Sequence, residues 1–425
     1  MTTVAAGEPQ GPERESSSRR NIIDYFKALG PGMISGASDN DPTTVATISV
    51  LGASTVYRLS WLTILLFPML TVIQVISARI GTVTRRGLQR DVTRRYGRAW
   101  GFILLLSVLA VNAVTIAADL EGGAAALGLI FHVAFQWFIL PFAIACFALL
   151  FFGSYNNIQR ILRWVLLVFL AYVISAFLAH PNWSAVLHAT VLPSFHFDST
   201  YIQGALALLG TTLTGYAYVW ETIEEAEERP PISELGLVQA DAGVGMLLAV
   251  AVFWFILIGT GATLGIHHKQ VQTAQDAAQA LAPVAGPIAS YLFALGLLAS
   301  AVLAVPVIVA TSAYVLGQEF GFRSSLAGKP KREIRFYSAL AGALLVGVIV
   351  SFAGVSPIHL LFVSSIIGGL GTPISLAFLL LTAHDRDLMG DHAPGRLLLG
   401  TGWLIASVIT AVSIYFLWQQ FGGLL

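Results

Sequence analysis

The chain has 425 residues, 56% hydrophobic and 11% charged, and its 23 basic and 23 acidic side chains cancel to a formal net charge of zero. Soluble domains carry about 25% charged residues, so the composition excludes a soluble globular protein and describes an all-α, polytopic membrane protein. Zero net charge leaves no basic excess for nucleic acid. The single cysteine excludes an intramolecular disulfide and any cysteine-cluster metal site, and Cys146, in an apolar run, reads as a small core residue.

Residues 1–24, rich in Ser, Gly, Pro and Glu and without a signal-peptide stretch, read as a flexible cytoplasmic tail. Residues 25–425 read as a single transmembrane transporter domain. Hydropathy and breakers predict eleven spans, at 28–53, 58–80, 99–129, 133–153, 161–180, 201–226, 236–265, 287–317, 334–354, 357–382 and 396–420.

The first span contains an anomaly. Its segment Gly36-Ala37-Ser38-Asp39-Asn40-Asp41-Pro42-Thr43-Thr44 places two carboxylates and a proline inside an otherwise apolar helix. An aspartate at mid-bilayer costs about 2.5–3.5 kcal/mol on insertion scales. Pro42 cannot donate the helical bond to residue 38. Broken backbone at membrane depth survives only where it is buried in protein or lines a wet cavity, so carboxylates beside freed carbonyls point to a cation site. Asn40 is placed to orient a water or to cap the broken end.

Lys and Arg then orient the chain. All of the 23 basic residues except Arg58 and Lys269 fall in the tail or in connections on one side. The positive-inside rule makes that side cytoplasmic, with the N-terminus inside and Leu425 outside, in the cell membrane.

Span 6 repeats the anomaly. Gly210-Thr211-Thr212-Leu213-Thr214-Gly215-Tyr216 interrupts an apolar stretch with three threonines between glycines, residues that permit unwinding and offer hydroxyls to backbone or ligand. Span 1 starts inside and span 6 starts outside. The halves 28–180 and 201–382 therefore read as inverted five-helix repeats, each opening on a broken helix, with 396–420 as an extra helix. Discontinuous helices at matching positions of such repeats mark a midplane substrate site. Further along, Glu221, Glu224, Glu225 and Glu228 share one helix face, read as solvated, and His267-His268 reads as a solvated loop.

On these motifs the chain resembles the Nramp family of divalent-metal transporters over nearly its whole length. Gly30-Pro31-Gly32 stands eleven residues before Asp41, and Asp41-Pro42-Thr43-Thr44 occupies the family's Asp-Pro-Gly-Asn motif, followed by Val45-Ala46-Thr47. Ser77 to Thr84 resembles the family's end of span 2, and Ala118-Asp119-Leu120-Glu121 its acidic motif on span 3. Gln272-Thr273-Ala274 with Ala277-Ala278 resembles the loop after span 7. The departures bear on the ion. Where the family has Met-Pro-His on span 6, this chain has Thr214, Gly215 and Tyr216. The family's carbonyl donor falls on Thr211, its span 10 glutamine near Gly371, and its second span 3 acid on Gly122.

The resemblance implies alternating access around a metal site of Asp41, Thr44, Thr214 and the Thr211 carbonyl, with Asp39 either a second carboxylate or turned elsewhere. Carboxylates, hydroxyls and carbonyls suit hard cations such as Mg²⁺ or Mn²⁺, and the family branch lacking the methionine transports magnesium. Tyr216, Asp119, Glu121 and Gly371 are cavity or coupling candidates. Asp119 and Glu121 either relay protons or pair with an arginine such as Arg335. Two alternatives stay open: a proton-coupled Mn or Fe importer, and a Na-coupled organic-solute transporter of the same architecture. The expected partners are a divalent metal ion and the bilayer, with no resident cofactor and no nucleic acid, and the sequence points to no particular protein partner. No nucleophile–base pair or metalloprotease motif argues for an enzyme.

Overall fold

The computed structural model describes residues 39–152, 172–279, 289–326 and 330–421, together with 36, 170, 286 and 328. The tail, the first part of span 1 and much of span 5 lie outside the described residues. The chain is all-helical over what is described. In order the helices are α1 (Pro42–Thr55), α2 (Ser60–Thr84), α3 (Leu88–Tyr96), α4 (Arg98–Phe131), α5 (Gln136–Phe152), α6 (Trp183–Val191), α7 (Ser199–Thr212) and α8 (Gly215–Glu228). They continue with α9 (Leu235–Thr263), α10 (Ala274–Ala278), α11 (Ala289–Phe320), α12 (Ile334–Ser351), α13 (Pro357–His384), α14 (Arg386–Met389) and α15 (Arg396–Phe421).

Among the described residues seven helices, α2, α4, α9, α11, α12, α13 and α15, are long and apolar enough to cross a membrane. The predicted spans 2, 3, 4, 7, 8, 9, 10 and 11 each coincide with one helix. Spans 1 and 6 are broken as expected. The backbone is non-helical at 39–41 before α1 begins, and it is interrupted at Leu213 and Thr214 between α7 and α8.

Burial follows from position in the bundle. The apolar window of α11 is 72% buried, whereas those of α12 and α15 are 33% buried. Hence α11 is central, packed along α4, while α12 and α15 lie at the margin. Their outward side chains, such as Ile349, Leu397 and Leu404, are exposed, as lipid-facing positions must be. The centre is made by close backbone approach. A Cβ on Gly210 would lie 2.1 Å from the Ser365 carbonyl oxygen, and one on Gly368 would lie 2.7 Å from the Gly210 carbonyl oxygen. Glycine at these positions lets α7 and α13 touch at main-chain distance.

The face predicted to be solvated on α8 is a correction. Glu221, Glu224 and Glu225 are buried and only Glu228 reaches the surface. The reason is that α8 lies along α2: a Cβ on Gly81 would meet the Thr222 carbonyl at 2.6 Å, and Thr82 donates to Glu225 at 3.3 Å. His267 and His268 are exposed, and Cys146 is buried.

The short polar helix α3 fastens one end of the bundle. Its Leu88 N–H donates to Thr222 on α8 at 3.0 Å, Gln89 and Thr93 donate to Glu319 on α11, and Arg95 pairs with Asp385 and Asp387 at 2.5 and 2.6 Å. Asp91 on the same helix is fully buried, with Arg86 3.8 Å away. Burial pushes its carboxyl up to about 6, against the opposing pull of Thr84, Arg86, Arg94 and Arg90. A carboxyl raised in the folded state favours folding most when protonated. That contribution is complete below its unfolded value near about 3.9 and is lost as pH rises through the folded value. Asp91→Asn is therefore expected to raise thermal stability at neutral pH and to flatten the stability profile between about 4 and about 6. Melting curves of detergent-solubilised protein across that range check it, and an unchanged slope would refute it.

Candidate metal site

The site begins with a helix that starts inside the protein. An α-helix leaves its first four N–H groups without internal partners, and in a membrane interior each must be satisfied locally. In α1 the account closes. Pro42 at the first position has no N–H, the placement it favours. Thr43 N–H donates to Asp119 Oδ1 at 3.2 Å, Thr44 N–H to Asp41 Oδ1 at 2.6 Å, and Val45 N–H to the Asp41 carbonyl at 3.0 Å. Asp41 is the N-cap, where the positive end of the helix dipole favours a carboxylate.

The end of α7 presents the complementary problem, unpaired carbonyls. The Leu213 carbonyl accepts from the Thr372 hydroxyl at 2.9 Å, and the Thr211 carbonyl faces the Thr44 hydroxyl at 3.4 Å. The hydroxyls of Thr44 and Thr211 lie 2.8 Å apart. Thr214 is extended and precedes α8, and its side chain makes no capping bond. Tyr216, in the first turn of α8, donates its hydroxyl to Asp41 Oδ2 at 2.9 Å. The two breaks therefore meet across the bundle, the amide-rich start of α1 against the carbonyl-rich end of α7.

Between them lies a tight pocket with no room for a whole water molecule. It is lined by Asp41 and Thr43 of α1, Thr115 of α4, Gly210, Thr211, Thr214 and Tyr216 of the second break, and Ser364, Ser365 and Gly368 of α13. The lining offers carboxylate, hydroxyl and carbonyl oxygen, with neither sulfur nor imidazole.

Of the residues singled out from sequence, Asp41, Thr211, Thr214 and Tyr216 line the pocket, and Thr44 joins them through its hydroxyl contact with Thr211 without lining it. Asp39 is buried but does not line the pocket, and both its oxygens lack a hydrogen-bond partner among the described residues. Asn40 acts structurally: its side-chain amide donates to the Gly36 carbonyl at 3.1 Å, and its main-chain carbonyl accepts from Ser300 on α11. Asp119 reaches the site indirectly, with Thr43 donating to it from hydroxyl (2.6 Å) and amide. Glu121 is buried, without a hydrogen-bond partner among the described residues, and away from the pocket lining. The pairing with Arg335 does not occur, because Arg335 is exposed at the start of α12 while both acids are buried within α4. Gly371 is also displaced from the pocket. Its carbonyl accepts from Ser107, and a Cβ there would meet Val111 at 2.3 Å, so it faces α4. The α13 residues that do line the pocket stand a turn or two earlier.

Those residues were missed. Ser365 bonds the Thr47 hydroxyl at 2.6 Å, and Ser364 donates to Thr115 at 3.2 Å. The polar pair Ser364-Ser365 within an apolar span, one turn before Gly368-Gly369, was the available signal. Gly122, at the position of the family's second acid, is explained sterically: a Cβ there would lie 2.8 Å from the Pro42 ring.

Two helix breaks meeting at a buried polar pocket, inside a bundle of helices long and apolar enough to cross a membrane, define a multi-pass membrane protein with an internal polar site. A profile of the Nramp family, described as natural resistance-associated macrophage protein-like, matches residues 32–419, and the chain belongs to that family. It is 28% identical over 430 residues to the divalent metal cation transporter MntH of Deinococcus radiodurans, covering 96% of this chain and 94% of the relative. The MntH of Ralstonia nicotianae is 27% identical over 427 residues, with 94% and 92% covered. Among solved structures, the fold is similar to the Eremococcus coleocola manganese transporter crystallised with an aromatic bis-isothiourea substituted compound. That match has a TM-score of 0.74 and 20% identity, and covers 98% of this chain and 90% of that one. A nucleobase-cation-symport-1 family transporter shares the outline at a TM-score of 0.53 and 15% identity, with 91% of each chain covered.

The trans cap on α1 is directly testable. Asp119→Ala, which leaves the Thr43 amide and hydroxyl without their acceptor, is expected to cost about 1–2 kcal/mol of stability. Asp119→Asn, which keeps an acceptor, is expected to retain most of it. Thermal unfolding of both variants in detergent separates them, and equal melting of Asp119→Ala and wild type would remove the capping role.

Proposed function

We propose that this protein carries a hard divalent cation, Mg²⁺ or Mn²⁺, across the cell membrane by alternating access at a midplane site centred on Asp41. One observation carries the reading: the two helix breaks aim a single carboxylate at hydroxyl and carbonyl oxygens in a pocket free of sulfur and imidazole. Oxygen donors suit Mg²⁺, Ca²⁺ and Mn²⁺, whereas thioether contacts favour softer ions. The names of the similar proteins, divalent metal cation transporter and manganese transporter, support the cargo class.

In this reading Asp41 is the anionic ligand, and Thr44, Thr214 and the Thr211 carbonyl complete the shell directly or through water. Mg²⁺ sheds its hydration reluctantly and keeps several waters, so the pocket must open to one side to admit it. The breaks are where such motion is accommodated, because α1 and α8 start as separate helices and tilt without stretching a continuous helical ladder. The distribution of Arg and Lys supports an N-terminus in the cytoplasm and a C-terminus outside.

A proton-coupled Mn or Fe importer is the second reading. It is favoured by Asp119, a buried carboxyl one threonine away from the pocket. An organic-solute carrier of the same architecture is distinguished by transport of metal ions against amino acids in liposomes.

Asp41→Ala is expected to abolish divalent-ion binding and flux in proteoliposomes while leaving a folded protein. Wild-type flux in that variant would move the site elsewhere. Thr214→Met, by placing a thioether in the pocket wall, is expected to raise affinity for Mn²⁺ or Cd²⁺ relative to Mg²⁺ by a few-fold. Competition flux with the three ions reads the ratio, and a wild type that already excludes Mg²⁺ in favour of Cd²⁺ would overturn the hard-ion preference.

A further inference from the structure

The bond between Tyr216 and Asp41 joins the two broken helices at the atoms proposed to hold the ion. Asp41 is buried, and its two oxygens have donors of different kinds. Oδ1 accepts from Thr44 N–H at 2.6 Å, a contact within the first turn of α1 that travels with that helix. Oδ2 accepts from the Tyr216 hydroxyl at 2.9 Å, a contact from α8 that depends on how the two breaks face each other. The tyrosine side chain is fully buried, and the pocket has no room for a whole water molecule between the two groups.

A carboxylate moved through a low-dielectric interior needs a compensating partner, since an isolated buried charge costs several kcal/mol. A bound divalent ion supplies that partner in the loaded carrier. The unloaded carrier needs another. A hydroxyl donating to a carboxylate is a charge-assisted bond, and because Tyr216 lines the pocket it approaches Oδ2 from the side an ion would take, so hydroxyl and ion compete for that oxygen.

We propose that the Tyr216 hydroxyl stands in for the transported cation on Asp41 while the carrier reorients without cargo. The proposal rests on the transport reading above and deepens it. An arriving ion displaces the hydroxyl, freeing α8 to shift against α1. A departing ion lets the bond re-form, and the site closes with no second substrate on Asp41. Tyr216 is thus a positioning residue for the return step, acting through Asp41.

The test uses the full-length protein in liposomes with Mn²⁺ as probe. Net uptake into Mn²⁺-free vesicles requires cargo-free return, whereas exchange of labelled for unlabelled Mn²⁺ does not. Tyr216→Phe is expected to lower the ratio of net uptake to exchange by about fivefold or more. Calorimetric Mn²⁺ binding is expected to tighten by about tenfold because the competing donor is gone. An unchanged ratio, or weaker binding, overturns the proposal and makes Tyr216 a ligand or a packing residue. Infrared difference spectra of wild-type protein with ring-labelled tyrosine provide a measurement independent of the variant's folding: Mn²⁺ must shift a hydrogen-bonded tyrosine band that is absent from Tyr216→Phe. No tyrosine change on Mn²⁺ addition also overturns the proposal. A wild type without divalent-ion flux, or an Asp41→Ala variant that retains it, defeats the underlying transport reading instead.

Discussion

A helix that begins in the interior of a membrane protein must find partners for its first amides, and this constraint organises the centre of the molecule. The start of α1 meets it with one acceptor in cis, Asp41, and one in trans, Asp119 on α4. Each remaining contact follows from that arrangement. Thr43 ties α1 to α4, Thr44 ties it to the end of α7, and Tyr216 ties the capping carboxylate to α8. The bonds that make a broken helix tolerable at membrane depth are the bonds that gather oxygen atoms into a pocket. Structural need and the proposed ligand chemistry coincide because both call for polar groups in a place without water.

The approach distances that make this possible come from residues without side chains. Gly210 and Gly368 bring the backbones of α7 and α13 into contact, and Gly122 receives the Pro42 ring. An acid at position 122 would collide with the helix start that Asp119 holds. Glycine at this position therefore lets α4 and the start of α1 pack closely. At the far end, α3 binds the ends of α8, α11 and α13 through side-chain bonds, so movement of the broken helices is constrained from two levels of the bundle.

Much of this was legible in the sequence. Eight of the unbroken spans were readable because a membrane-crossing helix must be a long apolar run, and the two breaks because glycine, proline, threonine and aspartate are conspicuous in such runs. Asp41, Thr44, Thr211 and Thr214 were identifiable for that reason and from the resemblance to a family motif. Ser364, Ser365 and Thr115 were not, since a single hydroxyl in an apolar helix usually bonds its own backbone one turn back and nothing local distinguishes the exceptions. Glu221, Glu224 and Glu225 were misread as a solvated face because helical periodicity shows that they share a side and not which neighbour covers it. Gly371 was placed at the site by counting along α13, but helix rotation turns it toward α4.

The sequence by itself determined the membrane class, the helix inventory and the two breaks with the carboxylate between them, because these depend on local composition and on the cost of polar groups in hydrocarbon. Only the tertiary structure decided which hydroxyls complete the pocket, that Asp119 caps α1 rather than pairing with an arginine, and that Tyr216 reaches Asp41. Those outcomes depend on the rotation and crossing of helices far apart in the chain. Asp41 and Tyr216 are 175 residues apart and 2.9 Å between oxygens, a proximity set by packing and by no pattern in either segment.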